Sequence, residues 1–290
     1  MKKIKAYIEL SRPFTLLAPA VGILCGIAVA AGETGAKWNA AAALISVAAA
    51  CLLNAASNTL NQLCDVDIDR INKPHRPLPS GRVAPREATG LAILLFAAAL
   101  RLAWAVNLQF FALCVAAAIM TFAYSAPPLR LRRFPVAADI IIAVPRGMLL
   151  FAAGWSAAAS LDHPLPWTIG GLLAFFILGA MSAKDFADIE GDRAGGIITL
   201  PVLLGARRTA ILISPFLILP FLLIPVLVHI GLLRPSCVYL AFLALYGAAI
   251  SVILLRDPES LSTEANHPAW KHVYLLLMAT QAGFAAAYIF

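Results

Sequence analysis

Asn54–Gly81 reads NAASNTLNQLCDVDIDRINKPHRPLPSG, an apolar helical pattern that gains amides, then carboxylates, then a basic, proline-rich loop. Projected at about 100° per residue, Asn54, Asn58, Asn61, Asp65 and Asp69 fall in one stripe ~80° wide, and Asp67 points nearly the opposite way. Carboxylates four residues apart on one helix face repel unless a cation lies between them. A hard divalent cation such as Mg²⁺ suits the pair, because it takes oxygen ligands and shares them with phosphates.

The device recurs at Lys184-Asp185-Phe186-Ala187-Asp188-Ile189-Glu190-Gly191-Asp192-Arg193. On an α-helix Asp185, Asp188 and Asp192 share a face, and Glu190 points away. Asp65 to Asp188 and Asp69 to Asp192 are equal distances along the chain. A Leu-Pro and then a Gly follow each pair, at Leu78-Pro79 with Gly81 and at Leu200-Pro201 with Gly205. The register points to an internal pseudo-repeat.

Outward from these motifs the chain is apolar. It has 290 residues, 61% hydrophobic and 13% charged. A soluble domain carries about twice that charged fraction, so the expected fold is all-α, a multi-pass transmembrane bundle. Runs long enough to span a bilayer lie at about 14–31, 38–63, 88–106, 108–126, 134–159, 167–183, 209–232, 237–255 and 270–290. Pro19, Pro145, Pro215, Pro220 and Pro225 inside these spans read as kinks. Met1 to Arg12 reads as a basic interfacial arm, with no cleavable signal peptide. Cys25, Cys51, Cys64, Cys114 and Cys237 are scattered among apolar runs and read as packing residues, not as a zinc or disulfide framework.

With the N-terminus in the cytoplasm and the C-terminus outside, 18 of the 22 Lys and Arg fall on the cytoplasmic side. The net charge of +7 is thereby explained without nucleic acid. Both acidic motifs lie on that same side, as a polar cap on the bundle. Seven of the 15 Asp and Glu sit in them, and ionisable groups at the membrane read first as functional. Lys73, Arg76, Arg82, Lys184, Arg193 and the run Arg130-Leu131-Arg132-Arg133 surround them. Carboxylates that hold metal, with Arg and Lys for the remaining oxygens, suit a phosphate-bearing polyanion.

At these residues the chain closely resembles the UbiA superfamily of intramembrane prenyltransferases, whose members act on 4-hydroxybenzoate, homogentisate or chlorins. The first family motif stands as Asn61-Gln62-Leu63-Cys64-Asp65-Val66-Asp67-Ile68-Asp69, continuing through Asn72-Lys73-Pro74-His75-Arg76-Pro77 to Gly81. The second stands as Lys184-Asp185 through Asp192, and Tyr124-Ser125-Ala126-Pro127-Pro128 matches the segment after span four. Gln62 stands where many members have Asp. Pro128 stands where some have Lys, a role open to Arg130 or Arg132. The resemblance implies a single domain over 1–290, built around a central cavity open laterally to lipid. It implies two Mg²⁺ ions, with Mn²⁺ as a substitute, held by Asp65, Asp69, Asp188, Asp192 and Asn61. The donor is then a polyprenyl diphosphate and the acceptor a hydrophobic or aromatic molecule. A membrane lipid is a further partner, and the inner membrane the location in a bacterium.

Expected substrate-binding residues are Asn58, Asn61, Lys73, Arg76, Tyr124, Arg130, Arg132, Arg146, Lys184 and Asp185. Asn54 and Asn58 also suit interhelical hydrogen bonding. Arg146 suits acceptor or diphosphate binding, or a pair with Asp139. A transporter would place acids near the midplane of broken helices, whereas these cluster at one face. A transferase using CDP-alcohols would show an Asp-Gly…Ala-Arg…Gly…Asp…Asp pattern, which is not present. The favoured acceptor is a phenolic quinone precursor such as 4-hydroxybenzoate or homogentisate. The alternatives are geranylgeranylglyceryl phosphate and a chlorin.

Overall fold

The structure, a computed structural model, describes residues 2–263 and 267–290. Met1 of the basic arm and 264–266 of the last basic loop lie outside the described residues. The described residues form helices, turns and loops, with no strand. We number the main helices α1 (Lys2–Ser11), α2 (Pro13–Thr34), α3 (Ala40–Cys64), α4 (Val66–Asn72), α5 (Pro85–Val106), α6 (Leu108–Ser125), α7 (Pro135–Ser156), α8 (Leu165–Ala194), α9 (Ala206–His229), α10 (Pro235–Arg256) and α11 (Pro268–Ile289).

Nine of these are long and apolar enough to cross a bilayer, and each overlays one expected span. Helices are required because hydrocarbon offers backbone groups no partners. Of the five span prolines, Pro145 and Pro225 adjoin breaks in α-helical winding. Pro145 starts a π turn over Val144–Leu149, Pro215 and Pro220 lie inside helical backbone, and Pro225 follows a break at Leu223. The described cysteines are all free, with Cys25, Cys114 and Cys237 buried.

The spans form a ring. α3 packs between α5 and α2, α2 between α3 and α7, and α7 against α8; α9 and α10 follow, and α11 returns to α2. α6 fills the remaining side against α3, α5 and α7. Small residues let backbones approach where lipid supplies no hydrophobic drive. A Cβ on Gly26 would lie 2.6 Å from the Phe151 carbonyl oxygen, and one on Gly154 2.5 Å from that of Ile23. α2 and α7 therefore touch backbone to backbone there. Trp155, Phe151 and Phe176, all buried, fill the core beside this contact.

The N-terminal arm is ordered against the motif end of the bundle. Ala6 and Leu10 of α1 pack on Leu78, Val83 and Ala88. Glu9 accepts two bonds from Arg82 at 2.7 and 2.8 Å, and Glu87 accepts one from Lys3 at 2.5 Å. These contacts hold the loop after α4 and the start of α5 against α1.

Candidate active site

α3 stops at Cys64 and α4 restarts at Val66, because Asp65 bends the backbone to φ −111°, ψ 16°. The unbroken helix expected from the pattern is thus two helices. The bonds from Asp65 N to Asn61 O (3.0 Å) and from Asp69 N to Asp65 O (2.8 Å) preserve the four-residue step across the bend. The facial separation survives with it. Asp65 and Asp69 are 3% and 4% exposed, whereas the Asp67 side chain is 90% exposed and pairs with Arg70 at 2.5 Å.

The second motif departs further from expectation. Met181–Asp188 is 3₁₀ and only Ile189–Ala194 is α-helical. Side chains three apart eclipse in a 3₁₀-helix, which aligns Asp185 with Asp188 more closely than an α-helix does. Asp192 is buried and Glu190 exposed, as the facial reading requires.

The two motifs meet. Asn72 accepts from Gly191 N at 2.8 Å and donates to Asp188 O at 3.1 Å. Arg132 contacts Asp65 and donates to Asp192 Oδ1 at 3.0 Å. Arg130 donates to Asp65 at 3.2 Å, Arg76 to both Asp69 oxygens at 2.7 and 2.6 Å, and Lys73 pairs with Asp188. Asn61 donates to Asp65 Oδ2 at 2.7 Å. Among the described residues no three acidic, His or Cys side chains converge on one point; the carboxylates stand opposite bases. Burial lowers the Lys73 ammonium from its ordinary value, opposed by Asp188 and reinforced by Arg76.

Beneath this mouth lies one large cavity, about 1600 Å³ of empty space including its opening. Asn58, Asn61, Tyr124, Arg146 and Lys184 line it, as expected, and so does Arg12. Lys184 reaches Asp185 at 3.4 Å and the Tyr124 hydroxyl at 3.5 Å. Lys184 therefore stands beside Tyr124, while Arg130 and Arg132 are turned to Asp65. Arg146 does not pair with Asp139: its Nη1 faces Met181 Sδ at 3.6 Å, and Asp139 accepts from Ser182 at 3.2 Å. Arg146 lies inside the π turn of α7, whose wider i→i+5 winding takes it out of the two-turn alignment an unbroken α-helix would give it with Asp139.

Asn54 and Asn58 combine both readings. They line the cavity, and their amides donate to Thr15 and, for Asn58, to Ser11 O at 3.0 Å. Gln62 is not a ligand turned amide. It is 2% exposed and donates to Leu10 O at 2.7 Å and to Asn58 O at 3.2 Å.

Arg12 went unrecognised within a basic arm. Its φ of +49° is rare outside glycine, and such a conformation persists only where its surroundings enforce it. The signal was Pro13, which steers the residue before it away from α-helix. Burial pulls the Arg12 guanidinium down to about 10, Arg76 acting with burial and Asp69 and Asp188 against it. It is a cation at neutral pH. Among the described residues neither Arg12 nor Arg146 has a carboxylate in ion-pair range, so the cavity presents two guanidiniums without a direct ion-pair partner.

The family model described as UbiA prenyltransferase family matches residues 20–274. A digeranylgeranylglyceryl phosphate synthase of Thermococcus kodakarensis is 36% identical over 210 residues, 72% of each chain. A homogentisate phytyltransferase of Synechocystis is 33% identical over 71% of this chain and 70% of its own. Among solved structures, a UbiA homolog from Archaeoglobus fulgidus bound to DMAPP and Mg²⁺ superposes with a TM-score of 0.76. It is 25% identical, and the match covers 98% of each chain.

Proposed function

The chain belongs to the UbiA prenyltransferase family, and from that premise we propose that it moves a polyprenyl group from an allylic polyprenyl diphosphate to the phosphate-bearing lipid geranylgeranylglyceryl phosphate. It is an integral, multi-pass membrane transferase. We place its N-terminus and both acidic motifs in the cytoplasm, with its C-terminus outside.

The residues at the mouth fit a magnesium diphosphate. Asp192 Oδ2 is buried with no hydrogen-bond partner, an orphaned oxygen suited to a hard cation. Magnesium is ordinarily held by one or two carboxylates plus substrate phosphates, which accords with carboxylates that pair but do not cage. Asp65, Asp69, Asp188 and Asp192, with Asn61, would hold two such ions. When bound they neutralise charge developing on the leaving diphosphate. Lys73, Arg76, Arg130 and Arg132 supply donors to the remaining phosphate oxygens. Lys184 and Asp185, beside Tyr124, bound the place where the allylic carbon sits. The apolar cavity below keeps water from a carbocation.

The acceptor reading rests on one observation, Arg12 and Arg146 facing the cavity without a direct ion-pair partner among the described residues. Their charge calls for an anion on the second substrate. The phosphate synthase relative inclines this toward a glyceryl phosphate, in place of the phenolic precursor expected from sequence. A phenol bearing a carboxylate is the second reading, favoured by the homogentisate relative. Purified protein in lipid, Mg²⁺ and labelled geranylgeranyl diphosphate, given geranylgeranylglyceryl phosphate, homogentisate, 4-hydroxybenzoate and a chlorin separately, decides by product mass. Product from the glyceryl phosphate alone is expected; product from homogentisate alone would transfer the assignment to the phenol.

A further inference from the structure

We infer that Phe110 sets the longest prenyl chain this cavity accepts, a specificity role that rests on the prenyl transfer proposed above. The lining residues of α6 run down one side of the helix: Ser125 and Tyr124 at the mouth, then Thr121, Ala117 and Cys114, then Leu113 and Phe110. Spacings of three and four residues keep them in line. The side chains are small at Thr121, Ala117 and Cys114 and large at Leu113 and Phe110, where the line ends. The Phe110 ring is 0% exposed, enclosed by the bundle.

The other walls end at the same depth. Ile23 of α2, Ala50 of α3 and Ala153 of α7 line the cavity and share one packed cluster with Phe110. Just beyond them α2 and α7 are in backbone contact at Gly26 and Gly154. Asn107 seals the start of α6, accepting from Phe110 N at 2.8 Å and donating to Ser156 O at 2.7 Å. The inner end of the cavity is therefore blind.

Its depth gives the chain length. From Tyr124 to Phe110 the axis of α6 runs about 21 Å at ~1.5 Å per residue. An extended isoprene unit adds four carbon–carbon bonds, about 5 Å. A donor whose allylic carbon lies beside Tyr124 thus reaches the level of Phe110 after about four units. Ala117 lies half-way, so a bulky residue there halves the usable length.

The test measures binding, so it does not depend on the acceptor. Wild type, Phe110→Ala and Ala117→Phe in lipid nanodiscs with Mg²⁺ are titrated with a ladder of prenyl thiolodiphosphates, which resist ionisation, bracketing this length on both sides. Wild-type affinity should rise with each unit to about four and then fall roughly tenfold or more at the next, as an overfilled apolar pocket requires. Phe110→Ala should move the fall to longer chains, and Ala117→Phe should move it about two units shorter. Affinity that climbs with length identically in all three proteins would overturn the ruler and leave prenyl transfer standing, the chain then leaving sideways into lipid. Failure of every donor to bind the wild type would sink prenyl transfer, and the ruler with it.

Discussion

The side chain of Asn72 closes onto the backbone of Gly191, and no methyl group fits between them: a Cβ on Gly191 would lie 2.5 Å from the Asn72 amide. That amide ties the end of α4, the helix carrying Asp69, to the helical turn between Asp188 and Asp192. Gly191→Ala should therefore cost roughly a hundredfold in kcat/KM by shifting both carboxylates by a fraction of an ångström to an ångström. Initial rates beside thermal unfolding check this. Unchanged rates in a folded Gly191→Ala protein would show that the contact does not position the motif.

Exposure separates acids that look alike in sequence. Asp65→Asn, Asp69→Asn, Asp188→Asn and Asp192→Asn should each lose on the order of a thousandfold in rate, as expected for one charged ligand to a catalytic cation. Asp67→Asn and Glu190→Gln, on the solvent side, should lose less than about tenfold. The six variants are compared at saturating donor with expression matched. Equal losses at Asp65 and Asp67 would refute the facial separation.

Chelation tests the cation. Prenyl transfer should vanish in excess EDTA and return on adding Mg²⁺ or Mn²⁺. Full turnover after exhaustive chelation would remove the metal from the reaction.

Arg12 predicts a pH effect. Burial disfavours its charged form, so the cation is lost as pH rises through the lowered value near 10. A lysine begins about two units below arginine, and the same burial acts on it. If the charge binds substrate, Arg12→Lys should keep activity at acidic and neutral pH, and its alkaline limb should fall about two units earlier than that of the wild type. Superimposable pH profiles would show that the Arg12 charge does not serve the reaction.

The spans were legible because hydrocarbon permits few architectures and long apolar runs declare themselves. The carboxylate faces were legible because hydrogen-bond register crosses the bend at Asp65. What pattern could not supply was local winding and long-range pairing. The 3₁₀ stretch at Met181–Asp188 and the π turn at Val144–Leu149 alter which side chains align. Periodicity assumes one winding throughout, so Arg146 was offered Asp139 and found Met181. Gln62 occupies a motif position yet serves the N-terminal arm, a contact 52 residues away that no local signal announces. The joining of Lys73 to Asp188 and of Arg132 to both motifs depends on how distant helices dock.

The backbone contact between Gly26 and Gly154 has a bioenergetic consequence. An energised bilayer drives each unit charge that leaks across it with about 2.3 kcal/mol per 100 mV. This protein gathers carboxylates, guanidiniums and, on our reading, a diphosphate at one end of nine membrane helices, which would invite proton leakage through any continuous wet path. Two helices pressed together at glycine leave no room for a file of water between α2 and α7 at that level. The seam between α2 and α7 thereby acts as an insulating joint below the charged end of the bundle.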